Sequence, residues 1–215
     1  MKKCIIIAAG EFKEKKIIKE KNDLLIIADA GYNNFLKLSN LKKEDIDIVV
    51  GDFDSMRLED MDLSKNTKVI KLNPIKDDSD TFDAVKAALN LGYKEFYLYG
   101  VLGKRIEHSL SNISILLYLK KQGLKAYIID EDTTVEVICN EIKLFDNKNS
   151  GYISIFPIEK CEGVSIKGLK YELKDYTLDY MQPSLGLDNE FLGQDAYISI
   201  KKGMLLLVYH KGASI

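Results

Sequence analysis

Short apolar runs alternate with stretches of helical period through the first part of the chain. The runs are Cys4–Ala9, Leu24–Ala28, Ile46–Val50, Val69–Leu72, Phe96–Tyr99 and Ala126–Ile129, each rich in Ile, Val, Leu or Tyr. Several lack polar alternation, which is the pattern of strands covered on both faces. Between them, Ser79–Leu91 carries Phe82, Val85 and Leu89 on one helical face, and Ser109–Lys121 carries Leu110, Ile113 and Leu117 on another. Gly123 follows the second stretch where a C-terminal cap belongs. This βαβα rhythm predicts a mainly parallel sheet with flanking helices over residues 1–130.

The rhythm then changes. Thr133–Cys139 alternates in part, and Tyr152–Phe156, Val164–Lys167, Ala196–Ile200 and Met204–Tyr209 read as further short strands. Asn147, Asn149, Gly151, Gly163, Gly168 and Gly203 punctuate them, and no long amphipathic helix intervenes. Residues 131–215 are therefore expected to form an all-β, sandwich-like second domain.

Composition narrows the functional classes. Hydrophobic residues make up 46% and charged residues 30% of the 215, with a net charge of −2. That is ordinary globular material, without the basic excess of a nucleic-acid binder. No run of about 20 apolar residues suggests a membrane span. Met1-Lys2-Lys3 before Cys4–Ala9 has a faint look of a signal peptide, but charge returns at Glu11, and a buried first strand is the better reading. Cys4, Cys139 and Cys161 are widely spaced and form no CxxC pair, so reduced thiols and a cytoplasmic location are expected.

Ligands of parallel α/β sheets bind beyond the carboxyl ends of the strands. Here those ends carry Asp29-Ala30-Gly31, Gly51-Asp52-Phe53-Asp54-Ser55, Asp77-Asp78-Ser79-Asp80-Thr81 and Gly100-Val101-Leu102-Gly103-Lys104-Arg105-Ile106-Glu107-His108. Crowded carboxylates repel one another unless a cation neutralises them, and Mg²⁺ prefers carboxylate oxygens, phosphates and water. If the chain stays extended after the third run, Asp52 and Asp54 point the same way and can face one metal. Asp77 and Asp80 are spaced to share a helix face, with Ser79 as a candidate N-cap. Arg105 has the donor fork that suits a phosphate oxygen. No P-loop or GxGxxG pattern is present. The residues alone reach Mg²⁺-dependent phosphate chemistry. They leave open which small alcohol is the acceptor (a pterin would serve) and whether the fold is kept as a non-catalytic sensor.

Taken together, the motifs resemble those of the thiamine pyrophosphokinase family. Gly51-Asp52-Phe53-Asp54-Ser55 is similar to its GDFDS run, Asp29-Ala30-Gly31 to its ADGG-type stretch, and Lys76-Asp77-Asp78-Ser79-Asp80 to its KDxTD motif. Gly103 to His108 resembles GGRxDH, with Lys104 for Gly and Glu107 for Asp. Ser154-Ile155-Phe156-Pro157, Gly168-Leu169-Lys170-Tyr171 and the segment from Ser184 to Asn189 resemble SL(I/F)P, GLKY and SxGxSN, the last with Asp188 for Ser.

The resemblance implies an α/β catalytic domain, a β-sandwich domain that helps bind thiamine, and a homodimer with shared active sites. It implies transfer of a diphosphoryl group from ATP to thiamine. Asp52, Asp54 and Asp80 are then the expected Mg²⁺ ligands, with Asp77 as a further one, and Arg105 holds the triphosphate. Asp29, Asp77, Ser79, Thr81, Arg105, Glu107 and His108 lie on the ATP side, and Ser184 and Asn189 on the thiamine side.

Overall fold

A computed structural model describes residues 2–73, 75 and 77–210. The chain divides into two compact units, Met1–Glu131 and Asp132–Ile215.

In the first unit, strands β1 (Cys4–Ile7), β2 (Leu24–Ala28), β3 (Ile48–Gly51), β4 (Lys68–Lys71), β5 (Glu95–Tyr99) and β6 (Lys125–Asp130) lie in the order β6-β5-β1-β2-β3-β4. Every pairing among them is parallel. The single-turn helix α1 (Tyr32–Phe35) follows β2, α2 (Asp80–Asn90) joins β4 to β5, and α3 (Ile106–Lys121) joins β5 to β6. Alternate residues of a strand point to opposite faces. Ile5, Ile7, Leu25, Ile27 and Val49 thus share one core with Phe12, Ile17, Tyr32, Phe35, Leu38 and Met61. Ile6, Ile26 and Val50 are equally buried, and α2 packs on β1, β2 and β3. Burying one such side chain is worth about 1.5–3 kcal/mol, so strands covered on both faces have no use for polar positions.

The stripe read on α3 is not the one that packs. Leu110 is 59% exposed, while Asn112, Ile115, Leu116 and Leu119 are buried and the helix lies on β6. This helix carries apolar residues on two faces, and periodicity cannot choose between them. At α2, Ser79 accepts the Phe82 N–H at 3.3 Å as the N-cap. Ser79→Ala is expected to cost about 1 kcal/mol, read as a lower midpoint in urea denaturation.

The second unit contains β7 (Thr133–Cys139), β8 (Ile142–Phe145), β9 (Tyr152–Pro157), β10 (Cys161–Lys167), β11 (Leu173–Leu178), β12 (Asn189–Glu190), β13 (Ala196–Ser199) and β14 (Met204–His210). They pair antiparallel in the orders β12-β9-β14-β7 and β11-β10-β13-β8. Ile153, Ile155, Leu205 and Leu207 from the first set share a core with Phe145, Val164, Ile166 and Ile198 from the second. The strands that sequence patterning missed, β8, β11 and β12, are edge strands. Ile142 and Leu144 of β8 point outward, β11 is largely polar, and β12 is two residues long. Glu136 interrupts the apolar interior of β7, and there it accepts the Tyr209 hydroxyl at 2.8 Å and pairs with Lys143 at 2.6 Å.

Candidate functional site

The order β4-β3-β2-β1-β5-β6 reverses direction between β1 and β5, and the crevice beyond such a switch point is where open α/β sheets bind ligands. A cleft of about 400 Å³ lies there. Ala8, Ala9 and Gly10 line it from the end of β1, Asp29 from β2, Ser55 from β3, Asp78 to Thr81 from the start of α2, and Gly100, Val101, Gly103, Lys104 and Arg105 from β5. His108 and Asn112 of α3 complete the wall.

Two asparagines hold these loops. Asn34 donates to the carbonyls of Ala8 and Gly10 at 2.7 and 3.1 Å, and Asn112 donates to that of Val101 at 2.7 Å. Sequence reading passed over both. The available signal was a polar side chain on a helix face otherwise apolar, Asn112 lying beside Ile115, Leu116 and Leu119. Gly100, at φ 62°, is needed for the same packing, because a Cβ there would stand 2.5 Å from the Ala8 carbonyl oxygen.

Asp29, Asp52 and Asp54 offer carboxylate oxygens that all lie within 4.8 Å of one another. Asp52 and Asp54 do not converge by strand alternation. β3 stops at Gly51, Phe53 takes a left-handed φ of 61°, and the Asp54 N–H bonds the Asp52 carboxylate at 3.2 Å. An aromatic residue in that region is strained, and strain of this kind gathers at functional sites. Phe53 is held by packing against the core shared by β1, β2 and β3. Asp29 is also left-handed, at φ 44°, and is only 5% exposed. Its Oδ1 is buried without a hydrogen-bond partner. Burial pushes the Asp29 carboxyl up, the Ala30 N–H opposes this, and the charges of Asp80 and Asp52 add to the rise. The Ser55 hydroxyl, 2.8 Å from Asp54, holds that carboxyl below the ordinary range.

The other expected residues are distributed as follows. Asp80, half-buried, and Thr81, buried, line the cleft with Ser79. Asp77 is exposed and lines a neighbouring recess with Phe82 and Tyr118, while Lys76 lies outside the described residues. Asp78 is bonded to Lys86 at 2.7 Å. Arg105 and His108 line the cleft, and the Arg105 Nε donates to Glu107 at 2.5 Å. Glu107 is held below the usual carboxylate range by its own backbone N–H and then by Arg105. In the second unit, Ser184 is exposed. Asn189 is buried, and its side chain accepts the Tyr171 N–H at 2.9 Å and donates to the Tyr171 carbonyl at 2.7 Å.

Comparison with known proteins gives matches to two family models. Residues 15–128 match the one described as "Thiamin pyrophosphokinase, catalytic domain", and residues 139–205 match "Thiamin pyrophosphokinase, vitamin B1 binding domain". A thiamine pyrophosphokinase of Bacillus subtilis (strain 168) is 26% identical over 162 residues, which cover 74% of this chain and 75% of that one. The crystal structure of a thiamin pyrophosphokinase family protein from Enterococcus faecalis superposes with a TM-score of 0.82 at 23% identity, covering 98% of this chain and 99% of the other. A thiamine pyrophosphokinase structure from Bacillus subtilis gives 0.79 at 23% identity over 98% and 99%. The yeast thiamin pyrophosphokinase gives 0.71 at 15% identity over 97% and 86%. At these identities the solved structures establish the fold.

Proposed function

Because the chain belongs to the thiamin pyrophosphokinase family, we propose that it transfers the diphosphoryl group of ATP to the hydroxyl of thiamine, giving thiamine diphosphate and AMP. The observation that carries this reading is the gathering of Asp29, Asp52 and Asp54 within 4.8 Å, in a chain whose switch-point cleft is lined by Asp29 and Asp80 and also by Lys104 and Arg105.

The donor set fits Mg²⁺. All its atoms are carboxylate oxygens, and the partnerless Asp29 Oδ1 is a buried charge that a hard cation satisfies. Mg²⁺, when bound, would neutralise phosphate oxygens and the charge developing on them. Asp52, Asp54 and Asp29 would hold it, with Asp80 reaching it directly or through water and Asp77 farther out. Arg105, kept in place by Glu107, orients the triphosphate, and Ser79, Thr81 and His108 shape the nucleotide side. The thiamine hydroxyl oxygen forms a bond to the β-phosphorus, the bond from that phosphorus to the AMP oxygen breaks, and the hydroxyl proton passes to a carboxylate of the cluster. Catalysis of this type consists mainly of alignment and charge neutralisation.

For thiamine we propose a homodimer with shared sites, to which Ser184 contributes directly. Asn189 contributes by fixing the backbone of Tyr171, an aromatic residue that is 61% exposed in a chain without Trp. The three cysteines are free, which supports a reducing, cytoplasmic setting.

The test is incubation with ATP, thiamine and Mg²⁺, followed by chromatography. Thiamine diphosphate and AMP are the expected products, lost on chelation with EDTA and restored by Mg²⁺. Formation of ADP in place of AMP, or turnover indifferent to EDTA, would overturn this reading.

A further inference from the structure

We propose that Lys104 is a polyphosphate-binding residue, its ammonium taking an oxygen of the nucleotide's β- or γ-phosphate. The inference rests on the ATP reading of the cleft and deepens it.

The lining of the cleft includes the carboxylates Asp29, Asp78 and Asp80 and the basic side chains Lys104, Arg105 and His108. Asp78 is bonded to Lys86, and Arg105 to Glu107, so each has an opposite charge close by. Lys104 differs. Among the described residues it makes no ion pair, and its Nζ donates at 2.6 Å to the backbone carbonyl of Ala9. A carbonyl positions an ammonium without cancelling its charge. The ammonium has three N–H donors, Ala9 takes one, and two remain for an anion.

Position supports the same role. Lys104 belongs to the loop after β5 and Ala9 to the loop after β1, so the side chain crosses the mouth of the switch-point crevice, and both loops line the cleft. Next to it, Arg105 precedes the 16-residue helix α3, whose N-terminal N–H groups add partial positive charge at the same end. The clustered carboxylates Asp29, Asp52 and Asp54 come from the ends of β2 and β3, whereas Lys104 comes from the end of β5. A polyphosphate lying in the cleft would then have cation ligands toward one end and the ammonium toward the other.

The backbone makes a clean test available. Lys104 has φ 55°, a left-handed conformation that glycine adopts freely. Lys104→Gly therefore removes the ammonium without straining the loop, Lys104→Met keeps the bulk of the side chain, and Lys104→Arg restores the charge. The experiment is calorimetric titration of the full chain and these variants with AMP, ATP and inorganic tripolyphosphate in Mg²⁺, together with steady-state kinetics. The Gly and Met variants are expected to bind ATP and tripolyphosphate roughly tenfold more weakly, with AMP affinity changed by less than about twofold. Lys104→Arg should recover most of the loss, and in the Gly and Met variants KM for ATP should rise with little change in kcat. Equal weakening of AMP and ATP would show a tether between two loops and no phosphate contact, which overturns the proposal. So would unchanged ATP and tripolyphosphate affinity in the variants of a wild type that binds both. A wild type that binds neither removes the ATP reading and this inference with it.

Discussion

Asp29→Asn is expected to lower kcat by at least roughly 10²-fold, the scale of losing one strong electrostatic contact to the reacting group, while the metal-free protein melts at a higher temperature. The two effects have one cause. Asp29 is 5% exposed, its Oδ1 has no hydrogen-bond partner, and Asp52 and Asp54 lie within 4.8 Å. Burial first, and then the negative charges of Asp80 and Asp52, hold its carboxyl above the usual range. Above that raised value the ionised form costs folding free energy, and protonation relieves the cost as pH falls. A neutral amide avoids it at every pH. The amide also suits the backbone, since Asn tolerates the left-handed φ of 44° that Asp29 adopts. Calorimetry with and without Mg²⁺, beside the product assay, checks the pair of effects. Added Mg²⁺ should raise the wild-type Tm more than that of the variant. Full activity in the variant would remove Asp29 from the metal set. A fall in Tm together with activity would make Asp29 a structural residue only.

Gly31→Ala is expected to cost about 3 kcal/mol of stability, a fall in Tm on the order of 10 °C, and to reduce kcat as well. The obstacle is backbone. A Cβ on Gly31 would stand 2.2 Å from the Ile7 carbonyl oxygen and 2.9 Å from its carbon. Ile7 ends the central strand β1 and is fully buried, so it cannot give way cheaply, and the short 3-10 helix Asp29–Gly31, which links β2 to α1, must move instead. Asp29 starts that helix, two residues upstream, so its carboxylate leaves the cluster with it. Chemical denaturation and steady-state kinetics on the same preparation check this. Stability within about 0.5 kcal/mol of wild type, the range of an ordinary surface substitution, would refute it.

These two residues also mark where the sequence was and was not sufficient. The run Asp29-Ala30-Gly31 is legible as a strand-end motif, with its carboxylate expected on the nucleotide side. That Asp29 joins Asp52 and Asp54 depends on the adjacency of β2 and β3, where Ile26, Ile27 and Ala28 pair with Ile48, Val49 and Val50. The Asp52-Phe53-Asp54 spacing was legible as a shared metal site, but the means was not. Alternation in a strand was the available rule, and the structure uses a left-handed Phe53 and a turn closed by the Asp52 side chain. On α3, two apolar faces made Leu110, Ile113 and Leu117 as plausible a core stripe as Ile115, Leu116 and Leu119. Only the position of β6 decides which is buried.

The sequence by itself determined the local elements and the chemical inventory. Uninterrupted apolar runs bounded by turn residues read as strands covered on both faces, and acidic and basic residues at the carboxyl ends of parallel strands gather at one rim of the sheet. Tertiary structure decided what short-range pattern cannot encode. It set the strand order that puts the crevice between β1 and β5, and it chose the carboxylate that completes the cluster. It also left Lys104 as a charge with a neutral partner. The physical reason is that a side chain's protonation, strain and free valence are set by neighbours many residues away, brought there by burial of the strands between them.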